Sequence, residues 1–135
     1  MDLLHIKDDK FWDKINSKHG DKGGVYKLIA VRNEQRVKVD RFLDQDENGI
    51  LYIGKGISFI DRVISLKKSI SPDYNGTGHI CGRRYKGNPN IALKFPCDIL
   101  FIELTQTDKP EELEKQLLKD YELKFGEVPP LNAVS

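Results

Sequence analysis

Two short runs, Gly24-Val25-Tyr26 and Leu51-Tyr52-Ile53-Gly54-Lys55-Gly56, each set one tyrosine among strand-forming residues bounded by glycine. Aromatic and β-branched residues suit a pleated surface. Successive strand side chains point to opposite faces, so Tyr26 and Tyr52 on neighbouring strands can enter one cleft. Two tyrosines that merely pack in a core are the plain alternative.

The remaining segments supply partners for these strands. Residues 8–18 read as a short helix presenting Phe11, Trp12 and Ile15 and ending near Gly20. A strand opens at Gly23-Gly24 and runs through Tyr26, Leu28, Ile29 and Val31. Residues 36–43 read as another strand, 44–49 as a polar turn, and 50–53 as a strand stopping at Gly54. Ser58 and Asp61 form a capping pair for a helix over 59–70, with Phe59, Ile60, Val63, Ile64 and Ile70 as its apolar stripe. Residues 71–90, rich in Gly, Pro, Asn and Ser, read as a loop or a loosely helical insertion. The run 98–104 is the plainest strand. Asp108 is placed as the cap of a last helix, with Pro110 in its first turn, Glu111 in the capping-box position and Gly126 at its end. The order β, β, α, loop, β, α predicts an α+β fold: a small, mainly antiparallel sheet flanked by helices. Residues 1–22 are read as an N-terminal helical extension and 23–135 as the main body of one compact domain.

At 135 residues the chain can bury a core without disulfide or metal staples. No apolar run approaches the roughly 18 residues of a membrane span. Met1-Asp2-Leu3-Leu4-His5 lacks the basic-then-apolar layout of a secretion signal, so a cytoplasmic location is expected, with Cys81 and Cys97 as free thiols. Charge is uneven. Between 55 and 94 stand Lys55, Arg62, Lys67, Lys68, Arg83, Arg84, Lys86 and Lys94 against only Asp61 and Asp73, in a chain of net charge +1. A basic middle on an acidic background suits one-sided contact with a polyanion, and an ordinary solvated surface accounts for it equally. Arg83, Arg84 and Lys86, interleaved with Tyr85, read either as a phosphate-contacting patch with a stacking aromatic or as an exposed basic loop. Lys67 and Lys68 belong to the same candidate surface.

One acid falls in an apolar stripe. At about 100° per residue from Leu113, Leu117 lies near 40°, Tyr121 near 80°, Glu114 near 100° and Phe125 near 120°. A glutamate turned toward a core needs a cation, a strong donor or a proton. A salt bridge and a divalent metal ion are the two candidates.

Together the tyrosine runs resemble the signature of the GIY-YIG nuclease family, with Val25 in place of the first isoleucine. Lys55 directly follows the Tyr-Ile-Gly run, Arg62 comes eight residues after Gly54, Glu114 precedes the Leu117-Leu118 pair, and Asn132 closes Pro129-Pro130-Leu131-Asn132. The resemblance spans residues 23–132. It implies that family's fold, with an extra hairpin in the long interval between the tyrosine motifs. It also implies metal-dependent phosphodiester hydrolysis of DNA, with RNA a weaker candidate. Glu114 would hold Mg²⁺ or Mn²⁺, Arg62 would engage the phosphate, and Tyr26 would take a proton from water. Tyr52 would position water or phosphate, Lys55 would favour the phenolate, and Asn132 would tie the chain end near Glu114 or touch the metal's water shell. One departure stands out. Many members carry a tyrosine or histidine four residues after the arginine, where this chain has Leu66. His79, in Gly76-Thr77-Gly78-His79, is either its substitute or a surface polar group. Leu66 also supports the alternative of a nucleic-acid-binding or interaction module of the same fold that lacks turnover.

Overall fold

Seven strands and five helices make up the described part of the chain, residues 3–73 and 79–133 of a computed structural model. In order they are β1 (Leu3–His5), α1 (Phe11–His19), β2 (Gly24–Arg32), β3 (Gln35–Arg36), β4 (Val39–Asp40), β5 (Gln45–Asp46), β6 (Ile50–Gly56), α2 (Phe59–Ile70), α3 (Ile80–Gly87), α4 (Pro89–Lys94), β7 (Leu100–Gln106) and α5 (Pro110–Phe125). The main sheet is antiparallel, β1 beside β7, β7 beside β2 and β2 beside β6, and β3 folds back on the end of β2. Asn33 and Glu34 both take left-handed φ in the two-residue turn between β2 and β3, as a tight hairpin requires. A separate antiparallel ladder joins β4 and β5. The fold is α+β.

Central strand β2 is buried on both faces. Tyr26, Leu28 and Ala30 meet a core built with Phe11, Phe59, Val63, Leu66, Cys81 and Tyr85 from α1, α2 and α3. Val25 and Ile29, on the other face, pack with Ile50 and Ile53 against Tyr121 and Phe125 of α5. The sheet is therefore sandwiched, four helices on one side and α5 on the other. A register shift between Leu28 and Ile29 leaves Leu51 without a partner on β2, and Leu51 and Tyr52 both join the α1–α4 side. No helix among the described residues is long and apolar enough to cross a membrane.

Several elements differ from expectation. The N-terminal segment is not only helical: β1 pairs with β7 and extends the sheet. Trp12 is 48% exposed, whereas Phe11 and Ile15 are buried. The strand expected at 36–43 is two short pieces, because the chain leaves β2 soon after Val37 N–H donates to Ala30 O (2.9 Å). β6 continues past Gly54 to Gly56, paired with β2 down to Gly24. The Gly- and Pro-rich stretch after residue 79 is two helices. α3 tolerates Gly82 at its centre because a Cβ there would lie 2.2 Å from Ser69 Cβ, so the glycine lets α3 press against α2. Asn88 begins α4 as its cap, its side chain accepting from Asn90 N–H. β7 starts two residues late, after a 3₁₀ turn over Cys97–Ile99. Asp108 is not the cap of α5. Lys109 occupies that position without a side-chain cap bond, and Thr107 Oγ1 accepts from Lys109 N–H. Helix α2 is as read, with Ser58 Oγ accepting from Asp61 N–H (3.4 Å), and Gly126 ends α5 in the left-handed conformation.

Candidate active site

Register places the two tyrosines. Tyr26 lies opposite Gly54 and Leu28 opposite Tyr52, so both rings stand on the same face of neighbouring strands, their centroids 6.1 Å apart. Gly54 makes the arrangement possible, because a Cβ there would fall 2.5 Å from Tyr26 Cζ and 2.7 Å from its hydroxyl oxygen.

The third ring is His79. Its companions Gly76, Thr77 and Gly78 lie outside the described residues, but the imidazole itself is fully buried rather than on the surface. Its Nε2 lies 2.8 Å from the Tyr26 hydroxyl and its Nδ1 accepts the Cys81 N–H (3.1 Å) as the cap of α3. The ring meets Tyr52 edge-on at 5.4 Å. Burial, with Arg62 adding to it, lowers the His79 pKa to about 4.

Arg62 connects this buried cluster to the exterior. It comes from the first turns of α2, held close to the strand end because Gly56 has no side chain: a Cβ there would meet Arg62 Cγ at 2.5 Å. Arg62 also lines a groove of about 630 Å³ with Lys55, Ser58, Asp61 and Glu111, and its charge acts on the Tyr26 phenol. Burial pushes the Tyr26 pKa up to about 12 despite the opposing pull of Arg62. Tyr52 is raised as well, by burial first and then by Tyr26, with Arg62 pulling against.

Glu114 is half-buried on α5, which is less than a core-facing acid, and its charge is felt at both phenols. Burial raises its pKa, Lys55 opposes that, and Glu111 reinforces it. Lys55 Nζ lies 3.9 Å from Glu111 Oε1 in an exposed pair. Among the described residues no three His, Cys, Asp or Glu side chains group as metal ligands. A cation at Glu114 would therefore take its remaining ligands from water, which suits Mg²⁺. Glu111 lines the groove, and Glu114, one turn further along α5, carries the second carboxylate that would face such an ion.

Asn132 ties the chain end to β6 rather than to Glu114. Its Oδ1 accepts from Ile53 N–H (3.0 Å) and its Nδ2 donates to Ile53 O (2.9 Å), while Leu131 N–H donates to Leu51 O (2.8 Å). The tail thus satisfies the outer edge of β6, between Tyr52 and Gly54. Leu66 is fully buried in the core and offers no polar group.

The basic residues do not form one row along the groove. Lys67 donates to Asp8 O (3.4 Å), sits over the Phe11 ring and, with Lys86, lines a separate hollow of about 700 Å³. Lys68 lines a third hollow beside Trp12. Arg83 and Arg84 are exposed on α3, and Arg84 also reaches Pro130 O (3.4 Å). Tyr85 is no stacking platform: it is buried, and its hydroxyl donates to Phe95 O (2.7 Å).

Three features of the site were not read from the sequence. Gly54 is the seat of Tyr26, and alternation alone signals it once Tyr26 and Gly54 are paired. Glu111, assigned only to a cap, lines the groove. Ile57, 89% exposed, lines the groove beside Arg62, and nothing in the sequence marks it. Among family models, curated proteins and solved structures, none matches this chain.

Proposed function

We propose that this chain is a metal-dependent endonuclease that hydrolyses phosphodiester bonds in DNA, with a GIY-YIG-like site. The observation that carries the reading is Arg62, which lines the groove and whose charge is felt at the buried Tyr26 phenol. A phosphate in the groove would find the planar donor fork of Arg62 and the ammonium of Lys55 at its lip. Water attacks phosphorus as the bond to the leaving sugar oxygen breaks. The phenolate of Tyr26, formed once its own proton has passed to solvent, accepts the water's proton, the leaving sugar oxygen takes a proton from solvent, and Tyr52 holds the second phenol beside it. A divalent ion at Glu114 would supply neutralising charge for the phosphate and the leaving oxygen. With its pKa near 12, Tyr26 is protonated at neutrality, so cleavage should accelerate as pH rises.

Supercoiled plasmid incubated with Mg²⁺ should be nicked or linearised, and EDTA, Arg62→Ala or Glu114→Ala should abolish the product. Intact plasmid, single strands and RNA with Mg²⁺ and Mn²⁺, from folded protein, would overturn the reading. Salt-sensitive binding without cleavage would instead identify the binding module that Leu66 favours.

A further inference from the structure

We infer that His79 is fixed in the Nε2–H tautomer by capping α3, and is a positioning residue that donates to the Tyr26 oxygen and cannot take its proton. This rests on the reading of Tyr26 as part of the site.

The two ring nitrogens have different neighbours. Nδ1 accepts a backbone N–H, from Cys81 at 3.1 Å, and a nitrogen that accepts carries no proton. A neutral imidazole with a bare Nδ1 bears its proton on Nε2, the atom 2.8 Å from the Tyr26 hydroxyl. The bond therefore runs from His79 to Tyr26. Arg62 is close enough for its charge to favour the ionised phenol. The phenol's own hydrogen must then point away from His79.

Alternatives fail on the same geometry. To accept a proton at Nε2, His79 would first have to move its existing proton to Nδ1 and lose the α3 cap. To become imidazolium it would have to lose that cap in a fully buried ring facing Arg62. Among the described residues, Tyr26 and Tyr52 pack against it and the charge of Arg62 reaches it, and none of these is a carboxylate that would stabilise a cation. A histidine so held serves Tyr26 as a fixed dipole: it favours the deprotonated phenol and orients the ring without joining the proton's path. Gly82 supports this, since its contact with Ser69 seats α3 where its cap can reach β2.

The chain has three histidines, so protein labelled with ¹⁵N-histidine gives a short imidazole spectrum, assigned by elimination in His5→Gln and His19→Gln. The His79 ring should show protonated Nε2 and bare Nδ1 without titrating from pH 5 to 8. In Tyr26→Phe its Hε2 signal should move upfield and exchange faster with water, which a purely capping histidine would not do. An Nδ1–H pattern, an imidazolium forming near pH 6.5, or an Hε2 signal unmoved by Tyr26→Phe would overturn the inference. None of these readouts needs DNA. The expected spectra together with an inert protein would overturn the nuclease reading alone.

Discussion

The ring of Tyr26 occupies the space that a side chain at Gly54 would fill, with Tyr26 Cζ 2.5 Å and its hydroxyl oxygen 2.7 Å from where a Cβ would stand. The glycine is required for room and not for a left-handed backbone, since Gly54 has no positive φ.

Gly54→Ala should therefore push the ring aside and break the Tyr26–His79 hydrogen bond. Overpacking of this kind costs about 1–3 kcal/mol, readable in urea unfolding. Unchanged stability and an unchanged Hε2 signal of His79 would show that the ring does not depend on this gap.

Asn132 should matter through Ile53. Asn132→Ala leaves a buried N–H and C=O of the edge strand unpaired, a loss of roughly 1–3 kcal/mol. The Ile53 amide should exchange with solvent markedly faster in the variant. Equal exchange rates would mean that the tail does not hold β6.

Much of this arrangement could be read before any coordinates, and the reason is local. Alternation along β2 and β6 put Tyr26 and Tyr52 on one face, and short-range caps at Ser58 and Gly126 bounded α2 and α5. What could not be read depends on distant contacts. α3 looks like a loop because Gly82 and Gly87, with Asn88 and Pro89 just beyond, break the helical pattern, and only Ser69 on α2 explains Gly82. His79 looks like a surface residue because its partner, Tyr26, is 53 positions away. β1 has three residues and too little pattern to announce a strand; its pairing with β7 defines it. Glu114 fell within the apolar arc, but a helix wheel does not say how far α5 is covered there, and the acid remains half-exposed.

Stability should fall in mild acid because of His79. Its folded pKa, about 4, is below the ordinary value of 6.5, so the unfolded chain binds the extra proton between those limits. Stability is then fullest above pH 6.5 and declines as pH drops toward 4, by roughly 2–3 kcal/mol from this one group. His79→Asn can retain a helix cap but has no imidazole to protonate. It should flatten that part of the profile. Parallel profiles for the two proteins would remove His79 as the cause.

Whether Glu114 gathers a cation beside the tyrosines and Arg62 is best tested by anomalous diffraction from a crystal soaked in Mn²⁺. The expected map has a peak touching a Glu114 carboxylate oxygen on the side facing Tyr26 and Arg62, absent from crystals of Glu114→Gln. A fully soaked crystal with no peak at Glu114, or with Glu114 turned away from both phenols, would contradict the proposed site.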